Sequence, residues 1–244
     1  MFKNKKIIIV VILVIIILAG LIYLNQSYQP LKGNEKFLNA DNVIEQNKYY
    51  YFKTETDLNT AFIFYPGGKV EETAYAPLIK MLSDRGYPAF LVKMPFNLAV
   101  FDKNRAEIIL KEYQKQFDNF YIIGHSLGGA MAASYIENNI DTFTGLIFLA
   151  SYPPDNVDFS NTKINILSIT ASNDQIIDSE KLEETKDNLP SKTEFNIIKG
   201  GNHAGFGNYG PQQGDGVSTI TKEKQWETTV DMIINFVQNV REGN

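Results

Sequence analysis

The chain has 244 residues, 44% of them apolar, which is enough for one sizeable hydrophobic core. Beyond three lysines among its first six residues, 20 basic side chains face 28 acidic ones. Because phosphate binding depends on clustered Lys and Arg, we do not expect a nucleic-acid partner. The chain has no cysteine, which excludes disulfides and a lipid-modified cysteine.

The first predicted element is an apolar segment near the N-terminus. Residues 7–24 carry no charge and follow Lys3, Lys5 and Lys6. A run of this length is long enough to span a bilayer. The alternative is a cleaved signal peptide, but no small-x-small cleavage site ends the run. We therefore expect residues 1–24 to be a single-pass signal anchor, with a cytoplasmic N-terminus and the remainder of the chain extracytoplasmic.

The rest of the chain divides into a polar stretch and one long alternating region. Residues 25–48 are polar and show no sustained period, which predicts a spacer. Strands are then predicted at 49–55, 61–65, 89–94, 120–124, 143–150, 164–170 and 193–198, and helices at 71–85, 103–117, 127–138, 179–188 and 221–241. The first of these strands resembles an antiparallel edge strand. Alternating strands and helices predict an α/β domain at 49–244, with a mostly parallel central sheet and helices on both faces.

One strand, one turn and one helix carry the strongest motif. Residues 120–130 read FYIIGHSLGGA, a hydrophobic run followed by G-x-S-x-G and a helix of small residues. Glycines two positions before and after the serine let such a strand and helix pack closely. Ser126 would then project its hydroxyl at the carboxyl edge of the sheet, beside the N–H of Leu127. The alternative is an ordinary glycine-rich turn with an inert serine.

A serine hydroxyl needs a base to become nucleophilic, and the chain has two histidines. His125 is adjacent to Ser126, and its side chain should point away from that hydroxyl. His203 lies in GGNHAGFG after the last predicted strand, where a loop at the carboxyl edge returns it to the serine. The alternative for His203 is a solvated loop histidine. We expect His203 to be the base.

An acid must orient that base, and Asp174 is the candidate. It follows the predicted strand 164–170 and precedes a helix, so a helix cap or turn is the alternative interpretation. The chain order Ser126, Asp174, His203 is the order expected when the three follow successive strand ends. Asp155 and Asp158, one loop earlier, are weaker alternatives.

Two backbone N–H groups are candidates for stabilising the oxyanion of an acyl-transfer intermediate. Leu127 supplies one of them. Gly67 and Gly68 end the strand 61–65, and we favour Gly68 as the second donor. A glycine turn that serves only backbone geometry is compatible with that role.

Together these motifs resemble the α/β-hydrolase family, in particular its dienelactone-hydrolase-like and small carboxylesterase branch. The resemblance covers about residues 49–244 and is carried by YPGGKV (65–70), AYAPL (74–78), GHSLGG (124–129), SNDQI (172–176) and GGNHAGFG (200–207). It implies a nucleophile at Ser126, a base at His203, an orienting acid at Asp174 and oxyanion donors at Gly68 and Leu127. Two departures stand out: Pro-Gly replaces the usual His-Gly oxyanion motif, and the cysteine nucleophile of dienelactone enzymes is absent.

The loop between the strands near 150 and 164 bears on substrate access. Residues 151–163 are too few for a helical cap, so we expect an open site without a substantial cap domain. Loop side chains that are candidates for lining the site are Phe96, Asn97, Leu98, Tyr152, Phe206 and Tyr209. No metal or other cofactor is expected, because the chain has no cysteine and both histidines are already assigned.

The sequence therefore predicts a membrane-anchored serine hydrolase that cleaves carboxylic esters of small or exposed acyl groups through an acyl-enzyme. An acyltransferase, amidase or thioesterase would use the same three side chains. A hypothesis from another class is a catalytically silent α/β-hydrolase scaffold that serves as a surface binding protein.

Overall fold

The computed structural model describes residues 11–15, 20, 26–55 and 58–243, and most of this range is organised around one sheet. The strands are β1 (Val43–Glu45), β2 (Tyr49–Phe52), β3 (Thr60–Tyr65), β4 (Ala89–Val92), β5 (Asn119–His125), β6 (Gly145–Leu149), β7 (Asn165–Ala171) and β8 (Glu194–Ile198). The helices of the folded domain are α1 (Ala76–Asp84), α2 (Ala106–Tyr113), α3 (Leu127–Ile136), α4 (Ser179–Glu184) and α5 (Lys222–Gly243).

The eight strands lie in the order β1-β2-β4-β3-β5-β6-β7-β8. β2 is antiparallel to both β1 and β4, and every other pair is parallel. Ile63 in β3, for example, pairs with Phe90 of β4 and Ile122 of β5. The mostly parallel sheet predicted from the alternation of elements is therefore confirmed, and its central strands are buried apolar runs because helices cover both faces.

Alternating side chains of the strands divide the core into two layers. Phe62 and Phe64 of β3 pack in the layer that holds α1 and α5, whereas Ile63 and Tyr65 pack in the layer that holds α2 and α3. On α5 one stripe of apolar side chains is buried: Trp226, Val230, Ile233, Ile234 and Val237. Each such side chain contributes about 1.5–3 kcal/mol of hydrophobic stabilisation. Because both faces of the sheet are packed, the loops at its carboxyl edge begin from well-packed strands.

Residues 26–48, which the sequence assigns to a spacer, contain structure packed on the domain. β1 pairs with β2, so β2 is not the edge strand that the sequence predicts. Asn34 is buried and donates a hydrogen bond from its side-chain amide to the carbonyl of Thr73. β1 has only three residues and a mostly exposed pattern, so it lacks the periodicity that identifies a strand.

The predicted signal anchor, residues 1–24, lies largely outside the described residues. Within the part of the chain that the structure describes, no helix is both long and apolar enough to cross a membrane.

Candidate active site

The turn between β5 and α3 has the geometry that the G-x-S-x-G motif predicts. Ser126 lies between the two elements with φ 51° and ψ −125°, a positive φ that non-glycine residues rarely adopt. Hydrogen bonds to its own N–H and carbonyl hold it there. Its N–H donates to Leu149 O at 3.0 Å, and its carbonyl accepts from Gly129 N at 2.9 Å and from the Ser151 hydroxyl at 2.7 Å. Ser126 is therefore held at a strained turn at the carboxyl end of β5.

The glycines of the motif allow the close approach of β5 and α3. A Cβ on Gly124 would overlap the main chain of Gly129, and a Cβ on Gly128 would overlap the carbonyls of Tyr65 and Pro66. The obstructing atoms belong to the backbone, so they cannot move aside by a change of rotamer.

The substitution Gly124→Ala is expected to lower the free energy of unfolding by about 1–3 kcal/mol, the usual cost of overpacking. Urea denaturation followed by circular dichroism measures it. Gly243→Ala is the matched control, because a Cβ there meets no atom within 4 Å. Equal effects of the two substitutions would contradict the packing account.

Asp174 and His203 form a buried pair. His203 Nδ1 lies 2.8 Å from Asp174 Oδ2, and the two side chains are 2% and 0% exposed. The other carboxylate oxygen, Oδ1, accepts the N–H groups of Ile176 at 2.8 Å and Ile177 at 2.9 Å. One oxygen of Asp174 therefore closes a turn, and the other contacts the imidazole. When Nδ1 of His203 donates to this carboxylate, Nε2 is the ring nitrogen left to accept a proton.

Ser126 and His203 share one cavity, with a volume of about 280 Å³. Its lining residues are Ser126, Leu127, Ala130, Ala150, Ser151, Tyr152, Ile176, Ile177, Asp178 and His203. Ser126, Asp174 and His203 follow β5, β7 and β8 respectively, so the parallel strands bring all three to the carboxyl edge. Leu127, Ile176 and Ile177 give the cavity apolar walls, and Ser126, His203 and Asp178 add polar groups.

The other sequence candidates lie apart from this cluster. Asp155 is exposed and pairs with Lys181 at 3.4 Å, and Asp158 accepts the N–H of Ser160. Of the six loop residues predicted to line the site, Tyr152 does so. Phe206 is fully buried, with its ring centroid 5.5 Å from that of His125.

Asp215 fixes the loop that carries His203, a role that the sequence did not indicate. Its carboxylate accepts the N–H of Ala204 at 2.8 Å, the N–H of His203 at 3.3 Å and the N–H of Gly216 at 2.8 Å. An aspartate between two glycines is typical of an ordinary turn, so no sequence signal marks it.

A second buried network lies behind the site. Gly67 N–H donates to the Tyr75 hydroxyl at 3.1 Å, and that hydroxyl lies 2.8 Å from His125 Nδ1. Burial of the His125 ring, and after it electrostatic repulsion between the two histidines, hold the pKa of His125 well below its ordinary value. In the tautomer with its proton on Nε2, the neutral imidazole accepts the Tyr75 hydroxyl proton at Nδ1. The centroids of the His125 and His203 rings are 4.6 Å apart, so this network packs directly against the His203 ring.

Gly68 lies against Leu127. A Cβ on Gly68 would come within 3.3 Å of the Leu127 Cβ, so the two backbone segments are adjacent at the turn. The N–H of Gly67 is already engaged by Tyr75. The structure thus brings the two residues predicted as oxyanion donors together.

Tyr75→Phe is expected to lower the free energy of unfolding by about 1–3 kcal/mol, because the Gly67 N–H and His125 Nδ1 lose a buried partner. We also expect turnover to fall about tenfold as the Gly67–Gly68 turn loosens. Denaturation and steady-state kinetics measure the two effects. Tyr121→Phe is the control, since the Tyr121 side chain is buried and its hydroxyl makes no hydrogen bond within the part of the chain that the structure describes. Equal losses in the two variants would overturn the network's role.

The depressed pKa of His125 predicts how stability depends on pH. An unfolded histidine titrates near pH 6.5, whereas the folded His125 stays neutral well below that value. As the pH falls below about 6.5, the unfolded chain therefore takes up a proton that the folded chain does not. We expect this residue to reduce the free energy of unfolding by up to about 1.4 kcal/mol per pH unit. Urea denaturation between pH 7 and 5 should show a weaker decline in His125→Gln, and identical slopes would contradict the assignment.

Comparison with known proteins defines the class to which this fold and site belong. The alpha/beta hydrolase family matches residues 61–227, which is more than half of the chain. The chain therefore belongs to the alpha/beta hydrolase family. No functionally curated protein matches it by sequence.

Solved structures share the fold at low sequence identity. An alpha/beta hydrolase enzyme from the metagenome of lagoon sediments of Mar Chica, Morocco, is 15% identical, with a TM-score of 0.60 over 82% of this chain and 99% of its own. A bacterial membrane phospholipase A is 12% identical, with a TM-score of 0.59 over 97% and 99%. The monoacylglycerol lipase of Paleococcus ferrophilus is 14% identical, with a TM-score of 0.56 over 77% and 99%. Family and neighbours together support a hydrolase.

Proposed function

We propose that the protein is a serine hydrolase that cleaves carboxylic esters through an acyl-enzyme. The observation that carries the proposal is the buried hydrogen bond between Asp174 and His203, beside a cavity that His203 shares with the strained Ser126. A catalytically silent scaffold has no need for this combination. Acyl transfer requires a serine nucleophile, a histidine base and a carboxylate that orients the base, and the site offers a strained serine beside the other two groups.

In the proposed reaction, His203 Nε2 takes the proton of the Ser126 hydroxyl as the serine oxygen attacks the ester carbonyl. Collapse of the tetrahedral intermediate breaks the bond to the alcohol, which leaves with the proton from His203. A water molecule then attacks the acyl-serine by the same steps and releases the acid. Asp174 holds the imidazole in the tautomer with the proton on Nδ1 and stabilises the imidazolium that forms.

The oxyanion of each intermediate is assigned to the N–H groups of Leu127 and Gly68. Leu127 begins α3, where N–H groups lack partners within the helix and the dipole favours negative charge. Gly68 is favoured over Gly67 because Tyr75 engages the Gly67 N–H. One such donor typically contributes about 2.7–4 kcal/mol to catalysis.

The substrate class follows from the cavity and its access. Tyr152, Ile176 and Ile177 offer an apolar wall for a small acyl group. Residues 150–164, all of which the structure describes, form no helix over the site. We therefore assign the chain to the dienelactone-hydrolase-like and small carboxylesterase branch, acting on small or exposed acyl esters. The phospholipase and monoacylglycerol lipase among its structural neighbours are by name lipid hydrolases, which is compatible with this assignment.

We further propose that residues 1–24 anchor the enzyme in a membrane with the catalytic domain extracytoplasmic. The uncharged run 7–24 and the three lysines before it support this orientation. Protease treatment of intact cells tests it: the domain should be digested from outside. Recovery of the chain in the soluble fraction would contradict the anchor.

A panel of matched chromogenic substrates tests the chemistry. Esters of two to twelve acyl carbons, one amide, one thioester and an acyl-acceptor alcohol are compared for the wild type and Ser126→Ala. We expect short-chain esters to be turned over fastest and Ser126→Ala to abolish that turnover. Faster amide or thioester cleavage, or transfer to the alcohol, would replace the ester assignment, and turnover of no substrate would favour a binding scaffold.

A further inference from the structure

The N-terminal segment joins the domain beside the candidate active site. Tyr28 N–H donates to Lys69 O at 2.7 Å, and Glu71 N–H donates to Tyr28 O at 3.0 Å, which fixes residue 28 to the loop after β3. The same loop carries Gly68. The Tyr28 ring also packs 5.5 Å from the ring of Tyr209, on the loop that follows His203. The chain thus leaves the domain at the carboxyl edge of the sheet.

The connection between this point and the apolar segment is short. Only residues 25–27 separate position 24 from Tyr28. Fully extended, a chain advances at most about 3.3–3.6 Å per residue, so four steps span about 14 Å. Half the difference between the full and hydrocarbon thickness of a bilayer is about 5–8 Å. If residues 7–24 span a bilayer, the loop after β3 is therefore held at most about 6–9 Å beyond the lipid headgroups.

Exposed apolar side chains lie next to this junction. Phe96, Val100 and Phe101, which we call the apolar rim, are 45%, 50% and 53% exposed on the segment after β4. The rings of Phe96 and Phe101 are 5.6 Å apart. Lys69 N–H donates to Asn97 O at 2.7 Å, which joins the rim directly to the loop that holds Tyr28.

The backbone at the rim is strained. Phe96 and Asn97 both have φ 54°, although neither is glycine. A bulky residue at positive φ is strained and persists only where the surrounding structure holds it. The Phe96 side chain is nevertheless about half exposed, so packing within the domain does not account for its position.

We propose that the apolar rim docks on the surface of the bilayer that residues 7–24 span, so that the cavity at Ser126 opens toward the lipid headgroups. The inference rests on the proposed anchor and on the proposed ester hydrolysis. Apolar side chains of peripheral proteins enter the boundary between headgroups and acyl chains by about 5–10 Å. The substrate is then an ester held at the leaflet surface, whose small or exposed acyl group reaches Ser126.

Single-cysteine spin labels test the docking directly, because the chain has no native cysteine. The full chain is reconstituted in phosphatidylcholine vesicles with a nitroxide at Phe96→Cys or Phe101→Cys. Ile197→Cys is the matched control, since Ile197 is 62% exposed on the edge strand β8, away from the junction. We expect labels at 96 and 101 to collide more with oxygen than with a water-soluble nickel chelate, and the label at 197 to show the reverse. Equal nickel accessibility at all three positions, or failure of the chain to bind vesicles, would overturn the proposal.

A kinetic comparison provides a second readout. Phe101→Ser should reduce hydrolysis of a fluorogenic monoacylglycerol in vesicles about tenfold and leave hydrolysis of water-soluble p-nitrophenyl acetate unchanged. Equal reductions on both substrates would contradict docking. Failure of the ester assignment is recognised separately: lipid-shielded labels in a chain that hydrolyses no ester would keep the docking and remove the chemistry.

Discussion

Turnover of an activated ester is expected to fall at least about a thousandfold when His203 is replaced by alanine. Without the imidazole, no group takes the proton from Ser126 or returns it to the leaving alcohol. Deletion of one member of such a triad typically lowers turnover by this order of magnitude. The loss should fall on kcat with little change in KM, because the ring acts in the transition state. Steady-state kinetics with p-nitrophenyl acetate measures both constants.

Denaturation of His203→Ala in urea is the necessary control, since His203 is buried and its removal leaves a small cavity. Turnover should be compared only where the variant is folded. Near-normal kcat in a folded variant would mean that another group is the base.

Asp174→Asn is expected to reduce kcat by about ten-thousandfold while the chain still folds. The asparagine oxygen can keep the two turn hydrogen bonds from Ile176 and Ile177, which Oδ1 of Asp174 accepts in the structure. Its amide group would then face His203 Nδ1 as a donor. The imidazole would be forced into the tautomer with the proton on Nε2, which cannot act as the base. A pH–rate profile with the same ester records the change.

Asp155→Asn is the matched control for this prediction, because Asp155 is an exposed aspartate in the neighbouring loop. Among the described residues, its carboxylate accepts hydrogen bonds only from Lys181. We expect its kcat to stay within about twofold of the wild type. An Asp174→Asn enzyme that kept more than a tenth of the wild-type kcat would contradict the orienting role.

The elements that the sequence predicts well are those with a strong hydrophobic period. β3 and β5 are continuous apolar runs, and α5 has a single apolar stripe, so their positions follow from pattern alone. β1 has three residues and a largely exposed pattern, and its pairing with β2 arises from tertiary contacts. Local sequence patterns also do not predict that Tyr28 and Asn34 pack on the loops around residue 70. This packing depends on hydrogen bonds between distant parts of the chain.

Some residues of the candidate site are likewise marked by the sequence, and others are not. Ser126 is marked by its motif, and Asp174 and His203 are marked by their position after strands, so the sequence can predict the pair that the structure brings within hydrogen-bond distance. Tyr75 and Asp215 act through backbone N–H groups at Gly67, His203 and Ala204. No residue pattern marks such contacts, since they depend on how loops from different strand ends fold together.

The most direct test of the account is covalent labelling of Ser126. The purified protein is treated with a fluorophosphonate probe, and the modified residue is identified by mass spectrometry of peptides. We predict one adduct on Ser126 in the wild type, strongly slowed labelling of His203→Ala, and no adduct in Ser126→Ala. An unlabelled wild type, or an adduct on another residue that persists in Ser126→Ala, would contradict the assignment of Ser126 as the nucleophile.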